Sequence, residues 1–209
     1  MEVCIMENLD FDFGEFNMDE GQIDPLETDA MPDARSVRRR TKNQMRLAMK
    51  TRELGEIMPV MEMGWTYHVI TRGNFDGFNF LPLVVERHGP VEEYYFTTWA
   101  LNRDNVVAMM GLYDEGKVGE IRAFIGTYLK RRETAVYGLL QNSLHERGQK
   151  MKAFRNHTKI QLIRAGEMYV VVEGSANLTA NGNCENFVVS CDREVYEFHK
   201  GWLNEMMEK

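Results

Sequence analysis

From Trp65 onward, apolar residues recur at two alternating periods, and the switching between them predicts a chain that alternates strands with helices. Residues 66–71 (TYHVIT), 80–85 (FLPLVV) and 93–100 (EYYFTTWA) read as strands, being short and rich in β-branched or aromatic residues. Asn102 is placed to cap a helix through about Glu115, with Val106, Val107, Met110, Leu112 and Tyr113 on its apolar side and Gly116 and Gly119 closing it. Strand 120–125 (EIRAFI) comes next, then a helix from near Arg132 to Arg147 with Val136, Leu139, Leu140 and Leu144 on one face. Short strands follow around 151–154, 158–163, 168–173 and 186–190. A last helix, from about Arg193 to Met207, carries Val195, Phe198, Trp202, Leu203 and Met206. Strand–helix–strand–helix order followed by a run of strands predicts an α/β sandwich, a mixed β-sheet flanked by helices. The aromatic residues Trp65, Tyr67, Tyr94, Tyr95 and Trp99 read mostly as core by strand patterning, with one of them suited to stack on a base, and His68 reads as a satisfied core residue. No internal repeat is present at any period.

Upstream of this region the pattern changes. Residues 1–34 contain 11 Asp or Glu and no Lys or Arg, are broken by Gly14, Gly21, Pro25 and Pro32, and read as a disordered acidic tail. Leu9, Phe11, Phe13 and Phe16 in that background form a short amphipathic motif, suited to a protein partner or to this chain's own basic surface as a phosphate mimic. Residues 35–60 form a basic helical segment and linker, capped by Ser36, with eight Lys or Arg and no acid between 35 and 52. The net charge of −7 therefore conceals a strongly basic stretch, and Arg35, Arg38, Arg39, Arg40, Lys42 and Arg46 are candidate phosphate contacts. Residues 61–209 form the predicted globular domain. No run is long and apolar enough to cross a bilayer, the acidic N-terminus is unlike a secretory signal, and the odd set Cys4, Cys184 and Cys191 has no metal-ligand spacing. A cytoplasmic protein with no membrane partner, no metal and no cofactor is the expectation.

The chemistry concentrates between residues 156 and 188 (NHTKIQLIRAGEMYVVVEGSANLTANGNCENFV). His157 and Lys159, two apart on a strand, would point to one face. One strand later, a turn opened by Gly174 presents Ser175 and Asn177. These groups suit attack on a phosphate diester. A neutral His157 acts as nucleophile, Lys159 and Asn177 neutralise charge on the non-bridging oxygens, Ser175 adds a hydrogen bond, and Glu185 holds the imidazole tautomer.

His157-Thr158-Lys159, then Gly174-Ser175-Ala176-Asn177-Leu178-Thr179, then Glu185-Asn186, resembles the HxK…GSxN…E signature of the phospholipase D superfamily, and the likeness extends over most of residues 65–209. It implies a phospholipase D-like α/β sandwich in which the motif histidine forms a covalent phosphohistidine and a second histidine protonates the leaving oxygen. By the match, His157, Lys159, Ser175, Asn177 and Glu185 take the family's catalytic roles. The family's acidic residue, expected shortly after Lys159, falls on Arg164. Glu167, in the following loop, is an alternative carboxylate.

Only one HxK is present, whereas the chemistry needs a histidine on each side of phosphorus. Family members with a single copy form homodimers that join two motifs across a two-fold axis, so a homodimer is expected. Two basic segments beside one elongated site favour a long polyanion, DNA above all, over a lipid headgroup. The expected function is a metal-independent nuclease. The alternative is a catalytically degenerate nucleic-acid-binding or scaffold protein, consistent with Arg164 in the acidic position.

Overall fold

The computed structural model describes residues 49–179 and 182–209, so the acidic tail and the basic positions Arg35, Arg38, Arg39, Arg40, Lys42 and Arg46 lie outside the described residues. Residues 49–57 are helical (α1). The elements that follow are β1 (Thr66–Thr71), α2 (Phe80–His88), β2 (Val91–Thr98), α3 (Arg103–Asp114), β3 (Val118–Gly126), α4 (Thr127–Arg132), α5 (Thr134–Glu146), β4 (Lys150–Phe154), β5 (Ile160–Ala165), β6 (Met168–Gly174), β7 (Glu185–Cys191) and α6 (Arg193–Glu208). The strands form one mixed seven-stranded sheet in the order β1-β7-β6-β5-β2-β3-β4. β2, β3 and β4 run parallel, joined by helical crossovers, and the remaining pairings are antiparallel.

β2 shows why this sheet has two covers. From Tyr94 to Thr98 every residue is buried, as expected of a central strand with both faces occupied. On one face Tyr94, Phe96, Ile121, Ile163, Val170 and Val172 pack with Leu83, Val106 and Leu140 from the helices. On the other, Tyr95, Phe124, Leu162, Tyr169 and Val171 pack under Tyr196 and Leu203 of α6. α6 starts where Asp192 accepts from the amides of Glu194 (2.7 Å) and Val195 (3.0 Å). α3 starts at Asn102, whose side chain accepts from the Asn105 amide at 2.8 Å. Leu54, Met58 and Met61 enter the first core layer, fastening the described end of the basic segment to the domain.

The architecture is the predicted mixed α/β sandwich, with local departures. Residues 80–85 are helical rather than a strand. An unbroken apolar run fits a buried helix as well as a buried strand. Asp76 resolves the ambiguity by capping a 3-10 turn over Gly77–Asn79 that leads into α2, and Pro82 falls in the first helical turn, where its missing N–H costs nothing. The helix expected from Arg132 is preceded by a separate short helix, α4. Among the residues read as core, Trp65 is 60% exposed and His68 is exposed, because β1 is an edge strand and α6 leaves that side of it uncovered.

Candidate active site

The sheet register brings the predicted residues together. Ile160 opposes Thr97 at the end of β2 and Glu173 near the end of β6, while Gly174 opposes Phe187 at the start of β7. The segments 156–159, 174–179 and 185–186 therefore meet at one end of the sheet. The parallel strands β2, β3 and β4 also end there, the edge at which open α/β sheets place their sites.

His157 and Lys159 stand in the extended segment before β5, not on the strand itself. Thr158 sets their common orientation. Its hydroxyl bonds Thr97 Oγ1 at 2.9 Å and Asn156 Oδ1 at 2.7 Å, and its amide donates to Asn156 Oδ1 at 2.9 Å. With the Thr158 hydroxyl tied to Thr97 and Asn156, the side chains of His157 and Lys159 meet each other beside it. Lys159 Nζ lies 3.3 Å from His157 Nδ1 and 3.4 Å from Nε2, and donates to the His157 carbonyl at 2.9 Å. The imidazole is exposed and meets the Trp99 ring edge-to-face at 5.5 Å between centroids.

The second motif segment is held against the end of β2. Asn177 Oδ1 accepts from the amides of Trp99 (3.1 Å) and Ala100 (3.3 Å), so the Asn177 carbonyl is committed to backbone and its NH2 is the group left to donate. The Leu178 amide donates to Thr98 Oγ1 at 3.3 Å, and Asn105 Nδ2 donates to the Leu178 carbonyl at 3.0 Å. Gly174 is required by space, because a Cβ there would collide with the Asn186 carbonyl of the neighbouring strand. The Ser175 hydroxyl donates to Glu185 Oε2 and accepts from the Asn186 amide at 3.2 Å, which ties the turn to the start of β7. Lys159, Gln161, Gly174 and Ala176 line one recess. Partial burial lowers the Lys159 pKa, and the nearby Glu185 carboxylate opposes that shift. The two groups thus lie within electrostatic reach.

Arg164 and Glu167 do not belong to this cluster. Arg164 is five positions beyond Lys159, roughly 16 Å along an extended strand. Glu167 lies in the β5–β6 turn beyond it. The other histidines also have separate settings. His199 receives the Trp202 indole N–H at 3.1 Å and faces Glu173 at 3.4 Å. Among the described residues, no second imidazole is in ring or hydrogen-bond contact with His157.

Sequence reading overlooked part of the surroundings. The exposed cations Lys130, Arg131 and Arg132 follow β3, Arg155 immediately follows β4, and Arg103 opens α3. Among the described residues none of Arg103, Arg131, Arg132 and Arg155 has a carboxylate partner. The Lys-Arg-Arg run was visible in the sequence. That it follows the strand end paired with the end of β4, three residues before His157, depends on the β3–β4 register. Lys50, by contrast, is turned inward to Asp76 at 3.3 Å. No described helix is long and apolar enough to cross a membrane.

No protein-family model and no curated protein sequence matches the chain. Solved structures do match at the level of the fold. Nuc, a phospholipase D family member from Salmonella typhimurium, superposes with a TM-score of 0.53 and 16% identity over 68% of this chain and 93% of Nuc. TrmBL2, an archaeal chromatin protein with a novel mode of DNA binding, superposes with a TM-score of 0.50 and 16% identity over 84% of this chain and 64% of TrmBL2. The fold is phospholipase D-like.

Proposed function

We propose that the chain is a metal-independent phosphodiesterase of the cytoplasm, a nuclease that acts on nucleic acid through a phosphohistidine and completes its site by dimerisation. One observation carries the reading: the Lys159 ammonium lies 3.3 Å from the exposed His157 imidazole, on the sheet end where the Asn177 NH2 is left to donate. A nucleophile thus stands beside two groups that stabilise anionic oxygen.

In this mechanism a ring nitrogen of His157 attacks phosphorus, and the N–P bond forms as the P–O bond to the leaving nucleoside breaks. The leaving oxygen takes its proton from His157 of the partner subunit. Water then attacks the phosphohistidine and gives a proton to that same imidazole, so the second O–P bond forms as N–P breaks. Lys159 and Asn177 hold the non-bridging oxygens throughout. The Ser175–Glu185 pair keeps the turn bearing Asn177 in place and sustains the charge on Lys159. The partner subunit is needed because the described part of the chain puts no second imidazole against His157.

Cleavage of DNA in excess EDTA that disappears in His157→Ala tests the activity, and the mass in light scattering tests the dimer. A monomer that remains active removes the shared site. A second reading has a specific support: the likeness to TrmBL2 spans 84% of this chain, against 68% for Nuc. On that reading the chain binds nucleic acid as a scaffold without cutting it, and steeply salt-dependent binding without cleavage is its signature. Arg35, Arg38, Arg39, Arg40, Lys42 and Arg46 serve as phosphate contacts on either reading. The acidic tail competes for the same basic surface or docks a protein partner. Deleting residues 1–34 then raises DNA affinity, and an unchanged affinity excludes the competition.

A further inference from the structure

Trp99 and Tyr128 stack at 3.8 Å between ring centroids with an interplanar angle of 22°, and the Trp99 ring also meets the His157 imidazole at 5.5 Å. We infer that this pair is a base-stacking shelf, which holds the nucleobase next to the phosphate that His157 attacks and makes single-stranded nucleic acid the substrate. The inference rests on the reading of His157 as a nucleophile toward nucleic acid.

Three features support it. Both rings are partly exposed although they are large and apolar, and they sit where the chain leaves β2 and β3, not in either core layer. The fold also makes room for the indole: a Cβ on Gly126 would come within 2.9 Å of Trp99 Cδ1 and 2.8 Å of the Asn156 carbonyl. Gly126 thus lets Trp99, α4 and the segment before His157 converge. Finally, the exposed Arg131 and Arg132 lie one helical turn after Tyr128 on α4, and the exposed Arg155 stands two positions before His157, so cationic charge is available near an aromatic face. Charge along the backbone with aromatic rings for the bases is how sequence-tolerant single-strand binding sites are built.

The strand type follows from geometry. A phosphate in attack position lies about 3 Å from the His157 nitrogen, so its nucleoside is in reach of a ring 5.5 Å from that imidazole. In a duplex the neighbouring base is paired and stacked inside the helix and cannot lie on a protein ring without being flipped out. A single strand meets the shelf at no such cost.

The test uses the full-length protein with three probes of equal length: oligodeoxythymidine, a strand of tetrahydrofuran abasic analogues, and the duplex of oligodeoxythymidine with its complement. Wild type is expected to bind and cut the base-bearing single strand on the order of tenfold better than the abasic one, the scale of one stacked base. The duplex is expected to be cut at least as poorly as the abasic strand. In Trp99→Ala the preference for bases collapses to less than about twofold, Trp99→Phe retains most of it, and Tyr128→Ala, which removes the outer ring of the stack and not the one against His157, weakens it. If Trp99→Ala lowers binding and cleavage of both single strands alike, the ring only supports His157 and the inference falls. Preference for the duplex also overturns it. Loss of cleavage on every probe, with base-dependent binding intact, removes the phosphodiesterase reading and leaves the shelf standing.

Discussion

Glu93 stands directly opposite Arg164 across the β2–β5 ladder, and its Oε1 accepts from Arg164 Nη2 at 3.0 Å. The other oxygen of Glu93 receives Lys200 Nζ at 2.6 Å and the Tyr196 hydroxyl at 3.1 Å. Arg164 thus joins β5 to β2, and through Glu93 to α6, at the sheet end away from His157. The three donors hold the Glu93 carboxyl below its ordinary value despite the opposing effect of burial.

Arg164→Ala is accordingly expected to lower stability, not catalysis. Glu93 keeps two partners, so the loss is about 1 kcal/mol, a fall in Tm of roughly 2–4 °C for a domain of this size. Arg164→Asp, which places a second carboxylate opposite Glu93, costs more. Thermal melts and cleavage per folded molecule separate the two effects. Normal Tm with lost cleavage would assign Arg164 to the site.

Asn177 gives a sharper test of the oxyanion chemistry. Its carbonyl oxygen is bound to the Trp99 and Ala100 amides, contacts that Asn177→Asp preserves. The substitution replaces the free NH2 with a second oxygen and sets negative charge against the phosphate. The variant is expected to fold as wild type and to lose about 10²–10³-fold in cleavage rate, the scale of removing one pre-positioned donor. Cleavage within threefold of wild type would mean that the amide does not face the phosphate.

Much of this was legible in the sequence, and the misses share a cause. The strands that carry the motif could be read as short β-branched runs bounded by turn residues, Val170, Val171 and Val172 before Gly174 among them, and Asn102 marked the start of α3. The helix at Phe80–His88 was misread because its run of buried residues has no period to display. Arg164 stands where the motif's acid is expected, and its pairing with Glu93 follows from a strand register that spacing along the chain does not encode. Trp99 belongs to a set of aromatics read mostly as core, one of them suited to stack on a base; which one depends on three strand ends converging beside Tyr128 and His157, which no local pattern encodes.

The α6 side of the domain has its own pH dependence. Trp202 Nε1 donates to His199 Nδ1, so the neutral ring carries its proton on Nε2, facing Glu173. Burial lowers the His199 pKa, with Glu173 opposing. A folded value below the unfolded 6.5 means that the unfolded chain binds the proton first as pH falls. The stabilisation is complete above that value and is lost as pH falls through the folded one. His88, lowered by burial and by Arg87, acts with the same sign. Tm is expected to drop from pH 8 to pH 5, and His199→Gln, which keeps an acceptor for Trp202, to make the drop shallower. An equally steep drop in the variant would exclude His199 as a source.

On the proposed mechanism Lys159 adds its own deprotonation to the alkaline limb of activity, beside that of the imidazole that must carry a proton to act as the acid. Because it acts as a cation beside the phosphate, its loss of charge would lower cleavage further as pH rises through its pKa. Burial brings that value below the ordinary lysine 10.5, and Glu185 holds it up. The upper limb of kcat/KM is therefore expected below 10.5 in wild type. Glu185→Gln removes the carboxylate charge, leaves burial in force and moves the limb to lower pH, whatever it does to the maximum rate. Lys159→Arg, with a guanidinium that does not titrate in this range, removes the lysine's step and leaves only that of the acid imidazole. An alkaline limb of the same shape and place in wild type, Glu185→Gln and Lys159→Arg would contain no lysine step, and Lys159 would then hold phosphate only as a hydrogen-bond donor.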